Sequence, residues 1–172
     1  QAVISLQNAN LFAQTEVRAE ELHILNEMSL LLSSQLEIDE IIQTIYKFTS
    51  QLMDTSYFFV CLYNSDEESL SFPLVVENNQ ISQIESMKKS RGLTQHIIDT
   101  KEPLLIYDNV EQTISNLGLE HIVVGKPAQS WLGVPLLMGD QVLGAIATQN
   151  ADKPRIFNEH HQDLLLSVAR QT

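Results

Sequence analysis

Residues 57–63 read Tyr-Phe-Phe-Val-Cys-Leu-Tyr, an aromatic and β-branched run with no charged side chain. A strand with one wet face alternates apolar and polar residues. A strand that stays apolar throughout is covered on both faces. The fold must therefore place this segment inside a sheet with material above and below it.

Helical patterns precede the run. Residues 1–35 contain no Gly or Pro, and two columns recur every seven residues. One is Val3, Asn10, Val17, Ile24, Leu31; its neighbour is Ile4, Leu11, Arg18, Leu25, Leu32. Such a repeat keeps one stripe on one side of a helix, where another helix can cover it. Asn10 and Arg18 interrupt the stripe, and the d-like positions Leu6, Ala13, Glu20 and Glu27 are mixed. The pattern predicts a long helix with a partner; the alternative, a helix lying on its own domain, gains weight after Glu20. A second helix follows, with Ile38, Ile41, Ile42, Ile45, Thr49, Leu52 and Met53 at helical spacing. Asp39 and Glu40 sit in its first turn, where the helix dipole favours negative charge.

Beyond the run, Asn64 to Glu68 is a polar turn and Leu70 to Glu77 a returning strand, with Pro73 marking an edge or a bulge. Residues 78–91 predict a short surface helix or a loop. Gly92 to Lys101 reads as a helix stopped at Pro103, and Leu104 to Tyr107 as a short strand. Residues 108–129, with Gly118, Gly125 and Pro127, read as a long irregular segment, a length often tied to function. Ser130 to Met138 and Val142 to Thr148 form a hairpin turning at Gly139-Asp140. Asn158 caps a closing helix whose Leu164, Leu165, Val168 and Ala169 face the core. The order of elements is that of an α+β domain with a central antiparallel sheet.

The formal net charge is −12, and the densest basic patch is only Lys88, Lys89 and Arg91. This disfavours contact with nucleic acid or an anionic membrane surface. Cys61 is the one cysteine, which fits a cytoplasmic, reducing setting. No apolar run reaches membrane-spanning length. The chain starts at Gln1, so it is expected to be a segment of a longer protein.

Four stretches, taken in order, resemble the GAF domain family. They are Leu36-Glu37-Ile38-Asp39-Glu40-Ile41-Ile42; Gly92 to Ile106, ending Lys101-Glu102-Pro103-Leu104-Leu105-Ile106-Tyr107-Asp108; Ser130-Trp131-Leu132-Gly133-Val134-Pro135-Leu136 with Gly139-Asp140-Gln141-Val142-Leu143-Gly144; and Phe157-Asn158-Glu159 with Leu164 to Gln171. The resemblance implies a GAF-like, PAS-related fold, with helices on one face of the sheet and loops or short helices over the other. It divides the chain into a linker or signalling helix, residues 1–35, and a GAF domain, residues 36–172. Ala2 to Gln14 is similar to the tail of a GAF closing helix, as if another such unit preceded it. The family also implies pairing of terminal helices in a homodimer, and neighbouring GAF and output domains in the same chain.

Little in the sequence suggests catalysis. Cys61 lies mid-strand, where a small buried hydrophobe is the default. Relatives that reduce methionine sulfoxide carry several cysteines, and bilin-binding relatives carry one in the segment that is here 108–129; neither pattern is present. The Asn-Lys-Phe-Asp-Glu motif of cyclic-nucleotide-binding members is also absent. His23, His96, His121, His160 and His161 form no metal pattern; His96 or His121 remains a haem-ligand alternative. No cofactor is named by these residues.

The resulting expectation is a non-catalytic sensory domain of a signal-transduction protein. It binds a small ligand or partner and relays the event through its terminal helices. The alternatives are a ligand-free dimerisation or spacer module, and a haem or redox-cofactor sensor. Expected ligand-lining residues are Phe59, Cys61, Asp108, Asn109, His121, Trp131 and Thr148, with Trp131 available to stack on a flat ligand.

Overall fold

The computed structural model describes residues 1–32, 38–122 and 126–171, with the side chains of 30–32 left aside. Leu36 and Glu37 of the first family stretch, Gly125 and Thr172 lie outside the described residues, as do the side chains of Leu31 and Leu32. The elements run α1 (Ala2–Leu32), α2 (Ile38–Leu52), β1 (Tyr57–Asn64), β2 (Ser69–Glu77), β3 (Gln80–Ser82), β4 (Met87–Lys88), α3 (Leu93–Thr100), β5 (Leu104–Ile106), α4 (Val110–Asn116), β6 (Ser130–Met138), β7 (Gln141–Asn150) and α5 (Glu159–Arg170).

The strands form one antiparallel sheet in the order β3-β2-β1-β7-β6-β5, with β4 paired to β2. The apolar run is β1, bonded on both sides, which explains its composition. Phe58 and Val60 point to one face, Phe59 and Cys61 to the other, and each face has its own core. The first core joins β1 to Ile42, Ile45 and Phe48 of α2 and to Leu164, Leu165 and Val168 of α5. The second gathers Ile97, Ile98, Val110, Ile114 and Trp131.

Opposite Cys61 the β1–β2 register shifts: Val60 pairs Leu74 while Leu62 pairs Ser71. Phe72 and Pro73 form the resulting bulge, which spares Pro73 the ladder bond it cannot donate. On the other side of β1, a Cβ at Gly144 would lie 1.9 Å from the Cys61 carbonyl oxygen, so β7 needs glycine there.

Two stretches differ from expectation. Residues 78–91 form no helix; β3 and β4 are short strands recruited by the edge of β2. The segment 108–129 contains α4, a seven-residue helix. β3 closes a tight hairpin on β2 through Asn78 and Asn79, both at positive φ, whereas β4 pairs with residues 17 to 19 positions earlier and leaves no periodic signal.

Helix α1 divides at Glu20. Residues 1–20 are exposed, Val3, Ile4, Leu11 and Val17 included, whereas Ile24 and Met28 are buried against the domain. The seven-residue column is thus partly a core face: its Ile24 packs on the chain's own domain, the alternative reading for the part after Glu20. Helix α5 opens with a capping box. Asn158 Oδ1 accepts the His161 N–H at 3.0 Å, and His161 Nδ1 accepts the Asn158 N–H at 3.2 Å. His160 Nε2 lies 2.8 Å from Glu21 Oε2, tying this turn to α1.

Candidate functional site

The sheet face turned away from α2 and α5 carries two cross-strand rows. Register aligns Trp131, Gln149, Tyr57 and Glu77 across β6, β7, β1 and β2. One pleat along, it aligns Gly133, Ala147, Phe59 and Val75. Residues two apart on a strand share a face. The small members of the second row let α3 approach: a Cβ on Gly133 would meet Ile97 Cδ1 at 2.6 Å and Trp131 Cη2 at 2.4 Å. The first row has larger side chains, and Val110 and Ile114 of α4 lie over it.

A cavity of about 130 Å³ lies over this floor. Phe59, Phe72 and Trp131 line its base, Leu93 and Thr94 of α3 and Val110 and Ile114 of α4 its walls, and Glu120, His121, Ile122 and Lys126 its rim. Phe59 and Phe72 meet edge to face at 5.9 Å. The rim is fastened to the start of α3. The Glu120 N–H bonds to the Arg91 carbonyl at 2.9 Å, and Arg91 Nη2 donates to the Gly118 carbonyl at 2.8 Å. Gly118 has φ +65, and Ile122 Cδ1 fills the space where Gly92 lacks a side chain.

The structure brings three of the seven expected residues to the cavity: Phe59, Trp131 and His121. Asn109 instead joins His121 in an adjoining, more polar cleft of about 600 Å³ along α4. Cys61 faces the same side of the sheet but is packed in the core beneath α3; burial pushes its thiol up to about 12. Asp108 is turned toward Arg155, with Oδ2 2.6 Å from Nη2, and does not line the cavity. Thr148 requires a correction. It pairs with Phe58 and shares that residue's helix-side face, where its hydroxyl donates to the Asp54 carbonyl at 2.7 Å, with the Tyr57 carbonyl at 3.1 Å. The parity of the pleat removes it from the ligand side.

Tyr57, Phe72, Glu77, Val110 and Ile114 escaped the sequence reading. Tyr57 and Phe72 carry a signal, being aromatic in neighbouring strands; Glu77 closes a strand, where a carboxylate reads as plain solvation.

The rim and floor include the carboxylates Glu77, Glu111 and Glu120. Lys126 is directed to Asp152, with Nζ 3.3 Å from Oδ1. His121 Nε2 lies 3.4 Å from Ser115 Oγ. Among the described residues no group of three His, Cys, Asp or Glu side chains is placed to hold a metal ion, and no helix is long and apolar enough to cross a membrane.

Comparison with known proteins adds to this geometry. Residues 35–172 match the family model of the GAF domain. The chain is similar to the GAF domain from Acinetobacter phosphoenolpyruvate-protein phosphotransferase at 16% identity and TM-score 0.69, over 88% of this chain and 89% of that one. It is similar to residues 122 to 287 of a methyl-accepting chemotaxis protein at 16% identity and TM-score 0.70, over 84% and 91%. It is also similar to free methionine-R-sulfoxide reductase from Neisseria meningitidis, solved with its substrate, at 10% identity and TM-score 0.62, over 89% and 88%. At such identities the likeness concerns the fold. No curated protein matches the sequence.

Proposed function

The chain belongs to the GAF domain family, and from that premise we propose that it is a regulatory sensory unit of a cytoplasmic signal-transduction protein, with the cavity over β1, β2 and β6 as its ligand site. The observation that carries the reading is the division of labour between the two sheet faces. One face is clamped to the terminal helices, and the other carries an apolar cavity roofed by α4 and the segment after it. Neighbours from phosphotransferase and chemotaxis proteins support a sensory role.

Ligand binding shifts α4 and the rim at Glu120 and His121, and the change passes through the sheet to α1 and α5. A ligand acts in this way only through different affinities for two states. The role is one of binding rather than turnover: the single thiol is buried away from the cavity, unlike what a thiol nucleophile needs. The exposed apolar side chains of α1 before Glu20 support pairing of that helix in a homodimer, and neighbouring GAF and output domains in the same chain complete the relay.

Two measurements test this. Native mass spectrometry of the protein purified from its host should find a small molecule retained at substoichiometric or full occupancy. Chains with and without residues 1–20 should differ in oligomeric state while keeping the same folded core. Equal oligomeric state and equal stability would refute the helix part, and its loss would leave a ligand-binding domain without the proposed output.

A further inference from the structure

We propose that the cavity takes a small organic cation: an ammonium group carried on a single aromatic ring or an apolar body of that size. The proposal rests on the reading of the cavity as a ligand site and adds the chemistry of its occupant.

Size sets the body. A dry apolar cavity of about 150 Å³ is known to accept one benzene ring, and the cavity here measures about 130 Å³. A macrocycle such as haem is far larger. Phe59, Phe72 and Trp131 give that ring an aromatic bed.

Register sets the charge. Tyr57 and Glu77 are direct cross-strand partners, and Trp131 lies in the same row beyond Gln149. Strands are about 4.8 Å apart, so a group resting on the Tyr57 ring is within reach of the Glu77 carboxylate. Aromatic faces attract ammonium groups, most strongly where water is excluded. The surrounding charges agree. Among the described residues the carboxylates of Glu77, Glu111 and Glu120 form no ion pair, whereas the one cation of the lining, Lys126, is engaged by Asp152. The nearby Arg91 guanidinium is held by the Gly118 carbonyl. An anionic ligand would enter against three like charges; a cation gains from each.

The experiment uses the full chain at pH 7 and four probes: phenethylammonium, benzyltrimethylammonium, the neutral 2-phenylethanol and the anionic 3-phenylpropionate. Binding is read by calorimetry and by emission of Trp131, the one tryptophan. The two cations are expected to bind about tenfold more tightly than the alcohol, and the anion more weakly than the alcohol. Glu77→Gln should reduce the cation preference about threefold, and added salt should shrink it further. Binding of the alcohol as tightly as the cations, or an undiminished preference in Glu77→Gln, overturns the cation proposal and leaves the ligand site standing. Failure of all four probes to bind at millimolar concentration overturns the cation proposal, and native mass spectrometry then decides separately whether the ligand site stands.

Discussion

The indole of Trp131 occupies the space that a side chain at position 133 would need: a Cβ built on Gly133 falls 2.4 Å from Trp131 Cη2. The two residues sit two apart on β6, on the same face, so the ring that borders the cavity is seated on a bare backbone. Gly133→Ala is expected to cost about 1–3 kcal/mol through overpacking and to shift the emission of Trp131. Chemical unfolding followed by fluorescence checks both; an unchanged midpoint with unchanged emission would show that the ring has room to move.

Thr148 acts on the opposite face. Its buried hydroxyl joins β7 to the turn between α2 and β1. The same turn is fixed by Asp54, whose partial burial raises its pKa but is outweighed by the Ser56 N–H at 2.9 Å and the Asn150 amide at 2.7 Å, leaving the carboxyl below its ordinary value. Thr148→Val leaves a buried carbonyl without its donor and should destabilise the chain by about 1–3 kcal/mol. Titration with an aromatic cavity probe should give the same affinity as the parent chain. A marked loss of affinity at full folding would place Thr148 on the ligand side after all.

Stability should depend on pH through His161. Burial, then the neighbouring His160, lowers its pKa from the ordinary 6.5, against the pull of Glu21. The neutral ring is the form that accepts the Asn158 N–H. The folded chain thus binds fewer protons than the unfolded one near and below this value. The contribution is whole above pH 6.5 and is lost as pH falls from there through the folded pKa. His161→Gln keeps an acceptor for the capping box and does not titrate. Melting temperatures between pH 7.5 and 5.5 should fall less steeply in this variant; parallel curves would rule the assignment out.

Cys61 provides a test of closure. With its thiol pushed up to about 12, only about one part in 10,000 is thiolate at pH 8. A thiol reagent should label the native chain only as fast as it opens, and labelling should accelerate steeply with denaturant. Stoichiometric labelling within minutes, with no loss of structure, would mean an accessible nucleophile and reopen the question of catalysis.

The parts of the fold that were legible in the sequence are those specified locally. The unbroken run of β1 announces burial on both faces, Gly139-Asp140 announces a hairpin, and Asn158 announces the start of α5. The parts that were not legible depend on pairing. β4 exists because β2 offers it an edge, while β3 follows β2 through a turn at Asn78-Asn79. α4 has only Val110 and Ile114 as buried residues, too few for a period. The site shows the same division. Trp131 and Phe59 stand out by residue type, whereas Thr148 and Glu77 depend on parity and register. A one-residue slip of β7 would exchange Thr148 for Gln149, and no local property of either residue fixes that choice.

Finally, α1 is a lever. Its docked portion, Glu21 to Ser29, spans about 12 Å, and the undocked portion before it extends roughly 30 Å at 1.5 Å per residue. With a fulcrum between Ile24 and Met28, a tilt that moves Glu21 by about 1 Å would carry the far tip through roughly 5 Å, so on the proposed relay a small rearrangement of the sheet would reach that tip as a displacement of several ångströms.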